Sequence, residues 1–337
     1  MTLAARTEAL LQRHWWRPAP TLLAQALRPL SWLYALLAAL ARLRAPQAAP
    51  VPVLVVGNLI VGGAGKTPAV VAIVQALQAA GWQPGVISRG HGRSGDGVQA
   101  VGPDSVAADV GDEPLLIRRR TGVPVWVGRQ RVAAARALCA AHPAVDVLVS
   151  DDGLQHRALA RDVEVVVFDE RGIGNGLLLP AGPLRERLPR QLPAMRRVLY
   201  NAARASTGLP GAIISRVLGA AVPLADWRAN RRDGALPLAG LRGRPLLAAA
   251  GIAAPERFFS MLEGAGLRLT RLPLPDHHAY ATLPWPAGTA DVVTTEKDAV
   301  KLGDTGSTRV WVVGLDFVLP PTFTQDLLRA LGAPRSR

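Results

Sequence analysis

The sequence predicts an α/β fold, with a mostly parallel sheet covered by helices on both faces and a smaller α/β second lobe. Between Val51 and about Val167, short apolar strands alternate with helical runs, which is typical of such sheets. Beyond about Leu199 this alternation stops, and a second group of strands follows after residue 240. Because ligands bind beyond the carboxyl ends of parallel strands, a site is expected in the loops after the strands.

The individual elements are predicted from apolar runs bounded by glycine, proline and polar residues. In the first group the strands are Val51–Val56, Gln83–Ile87, Val123–Val127, Asp146–Val149 and Val163–Phe168, with helices over Ala69–Ala80 and Arg131–Ala141. In the second group the strands are Pro245–Ala250, Leu267–Leu272, Asp291–Thr294 and Arg309–Val313, with helices over Pro255–Ala265 and Gln325–Leu331. Residues 205–240 lack clear periodicity.

A chain of 337 residues exceeds what one hydrophobic core usually organises. We therefore expect an amino-terminal segment over residues 1–45, a core over residues 46–225 and a second lobe over residues 226–320. A carboxy-terminal helix within residues 321–337 is expected to pack back on the core. The single cysteine, Cys139, excludes an internal disulfide and suits a reducing compartment.

The chain carries 39 Lys+Arg against 25 Asp+Glu, a formal net charge of +14. This excess favours acidic partners such as nucleotides, nucleic acid or anionic lipid headgroups. Genomic base composition is an equally good explanation for many of the arginines. Only three of the cations are lysines, Lys66, Lys297 and Lys301. Where arginine is the default, a lysine indicates a position that needs a compact ammonium rather than a planar fork.

The stretch from Val51 to Ala80 predicts a buried strand, a glycine-rich loop and a helix. The candidate phosphate-binding residues of the loop are Gly62, Gly63, Ala64, Gly65, Lys66 and Thr67. The loop N–H groups and the helix N-terminus would point at the phosphates, Lys66 would reach the β- and γ-phosphates, and Thr67 would hold Mg²⁺. Ile60 stands where the standard GxxxxGK[ST] spacing has glycine. The loop predicts a P-loop NTPase-like core.

Asp151 and Asp152 follow the predicted strand Asp146–Val149. An apolar strand that ends in aspartate is the Walker B pattern, whose carboxylate holds Mg²⁺. An Asp–Asp–Gly sequence is also good turn chemistry, and this alternative needs no metal. Because a phosphate loop precedes these residues, we favour the metal site.

Three further stretches place charged residues in loops. Asp112 precedes a helical run, where it is either a helix N-cap or a carboxylate that faces the site. Residues 169–187 form a long loop rich in glycine and proline, which indicates function, and they include Arg185 and Glu186. In the Asp-His-His stretch at 276–278, one histidine is expected to carry a proton or contact a phosphate. A charged surface turn is the alternative for this last stretch.

Residues 1–45 combine tryptophan, tyrosine and leucine with flanking arginines. The uncharged run from Pro29 to Ala41 would span only ~20 Å as a helix, whereas crossing a bilayer requires ~30 Å. The run is therefore too short to cross a membrane. Its aromatic and basic flanks favour a helix that lies in the headgroup layer of an anionic membrane. An amphipathic helix packed on the core is the alternative.

Taken together, the motifs resemble the tetraacyldisaccharide 4'-kinase family, enzymes of lipid A synthesis that phosphorylate a membrane-embedded disaccharide. The resemblance rests on eight stretches in order along the chain: VGNLIVGGAGKTP at 56–68, SRGHGR at 88–93, GDEP at 111–114, SDDGLQH at 150–156, GNGLLLPAGPLRE at 174–186, GIAAPERFF at 251–259, PDHHAY at 275–280 and TTEKDAVK at 294–301. This set is far more specific than a phosphate loop alone, which many unrelated nucleotide enzymes share.

The resemblance implies an ATP- and Mg²⁺-dependent lipid kinase that phosphorylates the 4'-hydroxyl of a tetraacyldisaccharide 1-phosphate, giving the 1,4'-bisphosphate (lipid IVA). It implies that Asp112 is the general base and that His277 assists it, with Lys66 and Asp152 as further catalytic residues. The implied ATP contacts are the phosphate loop, Gln155, His156, Arg185 and Glu186. The implied metal contacts are Thr67, Asp151, Asp152 and Glu186.

The resemblance also implies attachment to the anionic cytoplasmic face of the inner membrane through the amino-terminal segment, a monomer, and no nucleic-acid partner. The main alternative is a membrane-associated P-loop ATPase or GTPase switch. Thr295-Glu296-Lys297-Asp298 has the wrong order for the guanine-reading N/T-K-x-D motif of such a switch. A non-enzymatic membrane scaffold is the third possibility, and the intact Lys66, Thr67 and strand-end aspartates argue against it.

Overall fold

The computed structural model describes residues 10–41, 43, 45–276 and 278–334, and its strands form two sheets. The strands of the first sheet are β1 (Val53–Gly57), β2 (Pro84–Ser88), β3 (Gln99–Ala100), β4 (Val125–Val127), β5 (Val147–Asp151), β6 (Val163–Asp169), β7 (Arg196–Asn201) and β8 (Ala212–Ile213). Their order is β3-β4-β2-β5-β1-β6-β7-β8, and only the β3–β4 pair is antiparallel. The predicted α/β class with a mostly parallel sheet is confirmed.

The helices of this half of the chain are α1 (Leu22–Ala26), α2 (Arg28–Ala41), α3 (Lys66–Ala79), α4 (Ala107–Val110), α5 (Asp112–Thr121) and α6 (Arg131–Ala141). Helix α3 is apolar without interruption from Pro68 to Val74, and most of its residues are buried. It packs against the first sheet, against α5 and against a strand of the second sheet. A helix that is apolar around most of its circumference needs such cover on several sides.

The second sheet contains β9 (Ser215–Pro223), β10 (Leu246–Ala250), β11 (Leu269–Pro273), β12 (Asp291–Thr295) and β13 (Arg309–Val318). Its helices are α7 (Leu224–Arg228), α8 (Pro255–Gly264), α9 (Glu296–Ala299) and α10 (Pro321–Leu331), with a 3-10 turn at Leu238–Leu241. The strand order is β11-β10-β12-β13-β9, and only β9 runs antiparallel to its neighbour.

Strand β9 was not predicted, because its residues show no clear alternation and include Gly219. It pairs with β13 from Ser215 opposite Val318 to Pro223 opposite Trp311. Strand propensity depends strongly on such pairing, which no local pattern reveals. As a result, β9 belongs to the second sheet although it precedes residue 226, where the second lobe was predicted to begin.

The hydrophobic core of the first sheet follows from its parallel strands. Every residue of β1, β5 and β6 is buried, as expected for parallel strands with both faces covered. Helix α10 follows the second sheet in the chain, yet its Phe323 and Leu327 are buried in the core of the first sheet. The end of the chain therefore ties the two sheets together.

Helix α2 lies against the loop that follows β6. The Ser31 hydroxyl donates a hydrogen bond of 2.8 Å to the Leu178 carbonyl, and the Tyr34 hydroxyl donates one of 3.0 Å to the Arg185 carbonyl. The exposed large apolar residues of the helix are Leu30, Trp32, Leu33, Leu36, Leu37 and Leu40. Among the described residues, no helix is both long and apolar enough to cross a membrane. The flanking Arg42 and Arg44 lie outside the described residues.

A buried ion-pair network joins α5 to the second sheet. The Arg120 guanidinium donates to Glu296 at the start of α9 and to Asp316 on β13. The Trp227 indole donates a hydrogen bond of 3.0 Å to the other Glu296 carboxylate oxygen. Burial acts to lower the pKa of Arg120, but the two carboxylates outweigh it and raise that pKa. The carboxylates of Glu296 and Asp316 therefore compensate the positive charge of the Arg120 side chain.

We expect Arg120→Met to lower the free energy of unfolding by about 3 kcal/mol, because it leaves the buried Glu296 carboxylate without its cation. Arg129→Met is the matched control. Arg129 pairs with Asp96 at 3.1 Å, but both side chains are mostly exposed, so its loss should cost less than about 1 kcal/mol. Urea denaturation measures both values. Equal losses for the two variants would contradict a stabilising role for the inter-sheet ion pair.

Candidate active site

The loop between β1 and α3 brings the predicted phosphate-binding residues together. Gly62 (φ 92°) and Gly65 (φ 91°) have left-handed backbone, which glycine adopts without strain. A Cβ on Gly65 would lie 2.5 Å from Nδ2 of Asn201 and 2.9 Å from the Phe317 ring. Asn201 ends β7 and donates a hydrogen bond of 2.9 Å to the Ala64 carbonyl. Glycine at position 65 is therefore required by the backbone and by its neighbours.

Lys66 and Thr67 form the first turn of α3, where the backbone N–H groups lack intrahelical partners. The Lys66 ammonium donates a hydrogen bond of 3.5 Å to the Gly62 carbonyl and lies 3.8 Å from Oδ2 of Asp152. Free N–H groups, the positive end of the helix and a lysine together form a binding position for an anion such as a phosphate group.

Asp151 ends β5 and is almost completely buried. Its Oδ2 accepts a hydrogen bond of 3.0 Å from the Ser88 hydroxyl at the end of β2, while Oδ1 has no hydrogen-bond partner among the described residues. Burial, followed by the charges of Glu113 and Asp152, raises the pKa of Asp151 to about 7. A buried carboxylate oxygen without a donor, beside other carboxylates, is a position that a cation would stabilise.

Asp152 takes part in a series of polar contacts that connects most of the other residues predicted to form the site. Its carboxylate lies 3.3 Å from Nη1 of Arg185, which also donates a hydrogen bond of 3.3 Å to Gln155. The Gln155 amide in turn donates to Glu186 at 3.2 Å. Glu186 is also paired with Arg157. Lys66, Asp152, Gln155, Arg185 and Glu186 are thus linked in one network.

His156 lies beside this network and is half-buried. Its Nε2 is buried and has no hydrogen-bond partner in the described part of the chain. Burial, and then the nearby Arg131, Arg161 and Arg89, lower the pKa of His156. The neutral imidazole is therefore the favoured form, and it has one ring nitrogen left to accept or donate a hydrogen bond.

The residues predicted to hold Mg²⁺ fit a hard cation in part. Thr67 offers a hydroxyl, and Asp151 offers a buried carboxylate oxygen without a donor, both suitable ligands for Mg²⁺. Asp152 and Glu186 already accept from arginines, so each would have to share its carboxylate. No cluster of three or more His, Cys, Asp or Glu side chains poised for a metal occurs within the described ranges. The donor set therefore fits an ion whose remaining ligands come from phosphate and water, which is usual for Mg²⁺.

Asp112 is the first residue of α5 and is buried. Gly111 before it has a left-handed backbone (φ 93°), which turns the chain from α4 into α5. The Asp112 carboxylate accepts a hydrogen bond of 3.0 Å from the Glu113 N–H and lies 4.0 Å from the Lys301 ammonium. Its predicted partner His277 lies outside the described residues.

Arg171 and Arg131 were not singled out from the sequence, although both contribute to the site. Arg171 pairs with Asp169 at the end of β6 and donates a hydrogen bond of 3.0 Å to the Gly63 carbonyl. Its guanidinium also lies 4.3 Å from the centre of the Trp16 ring. Arg131 is buried, donates to the Asp151 carbonyl at 3.5 Å, and has its pKa lowered to about 10, mainly by burial. In a chain so rich in arginine, neither residue stands out.

The fold and the site define a P-loop enzyme of phosphoryl transfer: a mostly parallel sheet, a glycine loop that leads into a helix through Lys66 and Thr67, and a strand-end carboxylate at Asp151. A family model described as Tetraacyldisaccharide-1-P 4'-kinase matches residues 23–332. The chain therefore belongs to the tetraacyldisaccharide-1-phosphate 4'-kinase family and is a kinase, as the resemblance predicted.

Individual relatives agree with this assignment. The chain is 56% identical over 345 residues to the tetraacyldisaccharide 4'-kinase of Methylibium petroleiphilum, which covers 98% of this chain and 96% of the relative. It is 57% identical over 291 residues to the same enzyme of Leptothrix cholodnii, with 85% and 84% covered. The crystal structure of LpxK from Aquifex aeolicus in complex with ATP has a similar fold, with a TM-score of 0.74 and 25% identity over 92% of this chain and 100% of that one.

We expect the unliganded protein to lose stability as the pH rises from about 4 to 7, in part because of Asp151. The Asp151 carboxyl keeps its proton up to about pH 7 in the native state but loses it near pH 3.8 in the unfolded chain. Between these two pH values the native state therefore binds more protons than the unfolded chain, so the free energy of unfolding is largest at the acidic end of this range. Asp151→Asn removes this contribution, so the variant should gain roughly 2 kcal/mol relative to the parent between about pH 5.5 and 8.

Urea denaturation of the two proteins at both pH values, with chelator present, measures this difference. Asp104→Asn, the same substitution at an exposed position, is the control. A constant difference between parent and Asp151→Asn across this pH range would contradict the raised pKa of Asp151.

Proposed function

We propose that this kinase transfers the γ-phosphate of ATP to the 4'-hydroxyl of a tetraacyldisaccharide 1-phosphate, giving the 1,4'-bisphosphate of lipid A synthesis. The observation that carries the proposal is the placement of Lys66, Asp151, Asp152 and Asp112 together at the carboxyl ends of the strands. Lys66 lies 3.8 Å from Asp152, and Glu113, next to Asp112, lines the same cleft as Lys66 and Thr67. The acceptor is taken from the relatives, which are tetraacyldisaccharide 4'-kinases.

The phosphates of ATP would bind the loop from Gly62 to Thr67. The loop N–H groups and Lys66 would hold the phosphate oxygens in place and stabilise the charge that develops on them. Mg²⁺, held by Thr67, Asp151 and Asp152, would neutralise part of the charge on the β- and γ-phosphates. To bind the cation, the Asp152 carboxylate would give up part of its contact with the Arg185 guanidinium.

A cleft beside the phosphate loop supports the binding of the nucleotide base. It opens between the start of α3 and the second sheet, and Gly65 lies in its wall. Its lining includes the large apolar side chains of Leu116, Ile252, Phe258, Met261 and Phe317. Nucleotide pockets combine such apolar walls with a few polar groups, so the cleft suits the flat face of a purine.

Asp112 would accept the proton of the attacking 4'-hydroxyl. A general base must lie within hydrogen-bond reach of the hydroxyl, and Asp112 stands at the start of α5, facing Lys301 of the second lobe at 4.0 Å. His277 would assist by relaying the proton, a role that rests on the family pattern. Arg185 and Glu186 would orient the reacting groups through the network that includes Asp152 and Gln155.

The exposed apolar face of the amino-terminal helix α2 supports an acceptor that lies in a membrane. Helix α2 buries Ser31 against the loop after β6 and exposes a face of leucines and Trp32. A helix with such a face, near Arg28 and other arginines, binds the headgroup layer of an anionic membrane. We therefore place the protein on the cytoplasmic face of the inner membrane, with the helix at the surface and the catalytic edge of the first sheet close to the lipid.

The direct test supplies ATP, Mg²⁺ and a tetraacyldisaccharide 1-phosphate in detergent micelles and follows the bisphosphorylated product. Asp112→Ala should lower kcat by ~10²-fold or more, because the general base is lost, while the Kd for ATP stays within about threefold. Asp104→Ala, at an exposed position, is the control. If Asp112→Ala lowers kcat and ATP affinity equally, Asp112 is structural, and if the parent gives no product, the assigned acceptor is wrong.

A second test addresses the membrane. Replacing Leu33, Leu36, Leu37 and Leu40 by serine should shift the protein from vesicles to the soluble fraction, because each leucine loses about 1–2 kcal/mol of favourable burial in the lipid. The vesicles contain anionic lipid, and sedimentation measures the bound fraction. Val217→Ser with Val318→Ser is the matched control, since both valines are exposed on the second sheet. Unchanged binding of the leucine variant would refute the interfacial helix.

A further inference from the structure

Two of the three lysines are not accounted for by the phosphate loop. Lys297 and Lys301 both lie on or just after α9, and both face the acidic start of α5. The Lys297 ammonium lies 3.3 Å from Glu113, and the Lys301 ammonium lies 4.0 Å from Asp112. Of the two, Lys301 is the more buried, with a side chain that is only 9% exposed.

The Lys301 ammonium has few contacts for a buried cation. It lies 3.4 Å from Oδ1 of Asp298 and 5.5 Å from the centre of the Tyr280 ring, and it makes no hydrogen bond within the described residues. A buried ammonium is normally compensated by several hydrogen bonds. Its position between two carboxylates therefore indicates a role beyond the neutralisation of one of them.

Asp298 is held in place without the help of Lys301. Its Oδ2 accepts hydrogen bonds of 3.0 Å from the Gly251 N–H and 2.7 Å from the Thr295 hydroxyl. These contacts fix the carboxylate at the end of β10 and the start of α9. Asp298 thus acts as a fixed support for the lysine, since its other oxygen, Oδ1, lies 3.4 Å from Nζ of Lys301.

Helix α5 is held against α9 at its other end as well. Arg120, two turns after Asp112, is paired with Glu296 at the first position of α9. The acidic start of α5 therefore faces the lysines, and its basic end faces the glutamate. Because opposite charges are paired at both ends of α5, the helix is held in one position relative to the second lobe. This position sets the distance between Asp112 and Lys301.

We propose that Lys301 is a positioning residue for Asp112: from the second lobe, its compact ammonium holds the carboxylate of the candidate base toward the acceptor hydroxyl. The role rests on the proposed function, because it requires that Asp112 be the base. An arginine would not serve equally well, since its guanidinium is larger and holds its donors in a fixed planar fork, whereas the lysine ammonium is a compact point charge. This explains why the chain keeps a lysine here.

Kinetic measurements on the full chain with ATP, Mg²⁺ and the lipid acceptor test this role. Lys301→Met should lower kcat on the order of 10²-fold, because a misplaced catalytic group loses about that much, while the KM for ATP stays within about threefold. Lys301→Arg should recover only part of the loss. Arg271→Met is the control with an unchanged kcat, since Arg271 pairs with Glu256 and Glu263 on the exposed side of the second sheet.

A double-mutant cycle separates positioning from a structural role. If Lys301 acts through Asp112, Lys301→Met should change kcat by less than about twofold when Asp112→Asn is already present. If it only neutralises Asp298, Lys301→Met combined with Asp298→Asn should recover parental kcat. The combined variant also keeps the test valid if Lys301→Met alone folds poorly.

A persistent loss of kcat in the Asp298→Asn background, together with no further loss in the Asp112→Asn background, would support the proposal. Parental kcat in Lys301→Met, recovery by Asp298→Asn, or a full additional loss in Asp112→Asn would each overturn it. A parent protein that phosphorylates no acceptor would instead refute the proposed function, so the two failures are distinguishable.

Discussion

The parallel pairing of β1 with β5 is the constraint on which the site depends. Its register sets Val56 opposite Asp151, so the strand that leads into the phosphate loop and the strand that carries the buried carboxylate end side by side. The neighbouring strands end at the same edge. Ser88 from β2 donates to Asp151, and Asn201 from β7 supports the loop at Ala64. Because all these strands run in one direction, their carboxyl ends deliver the polar groups to one place without any long loop.

The electrostatics of the site follow from this crowding. Several buried and half-buried carboxylates lie close together, so the protein must either neutralise them or hold protons on them. Asp152 is neutralised by Lys66 and Arg185, and Glu186 by Arg157. Within the described ranges no cation forms a salt bridge with the Asp151 carboxylate, and Asp151 is the carboxylate with the strongly raised pKa. A cation bound beside Asp151 would therefore stabilise this group of carboxylates.

Residues of the second sheet and its helices position the helix that carries the candidate base. Helix α5 belongs to the first sheet by its place in the chain, yet its two ends are held by groups from the second: Lys301 and Lys297 at the acidic end and Glu296 at the basic end. Helix α10, which follows the second sheet, buries Phe323 in the core of the first sheet and so also joins the two sheets. The candidate base is therefore positioned by both halves of the chain, and the phosphate loop is positioned by the first sheet together with Phe317 of β13, whose ring lies beside Gly65.

The sequence by itself determined the α/β class, the phosphate loop and the strand-end aspartates, because glycine spacing, apolar strands and their ends are local features that follow from backbone geometry. It also determined the family, through motifs spread along the chain. Only the tertiary structure decided that β9 joins β13, that Arg171 reaches the Gly63 carbonyl and that Lys301 faces Asp112. These contacts join residues far apart in the sequence, and in a chain with so many arginines no local pattern marks which cation is paired with which carboxylate. Packing of the two sheets selects those pairs.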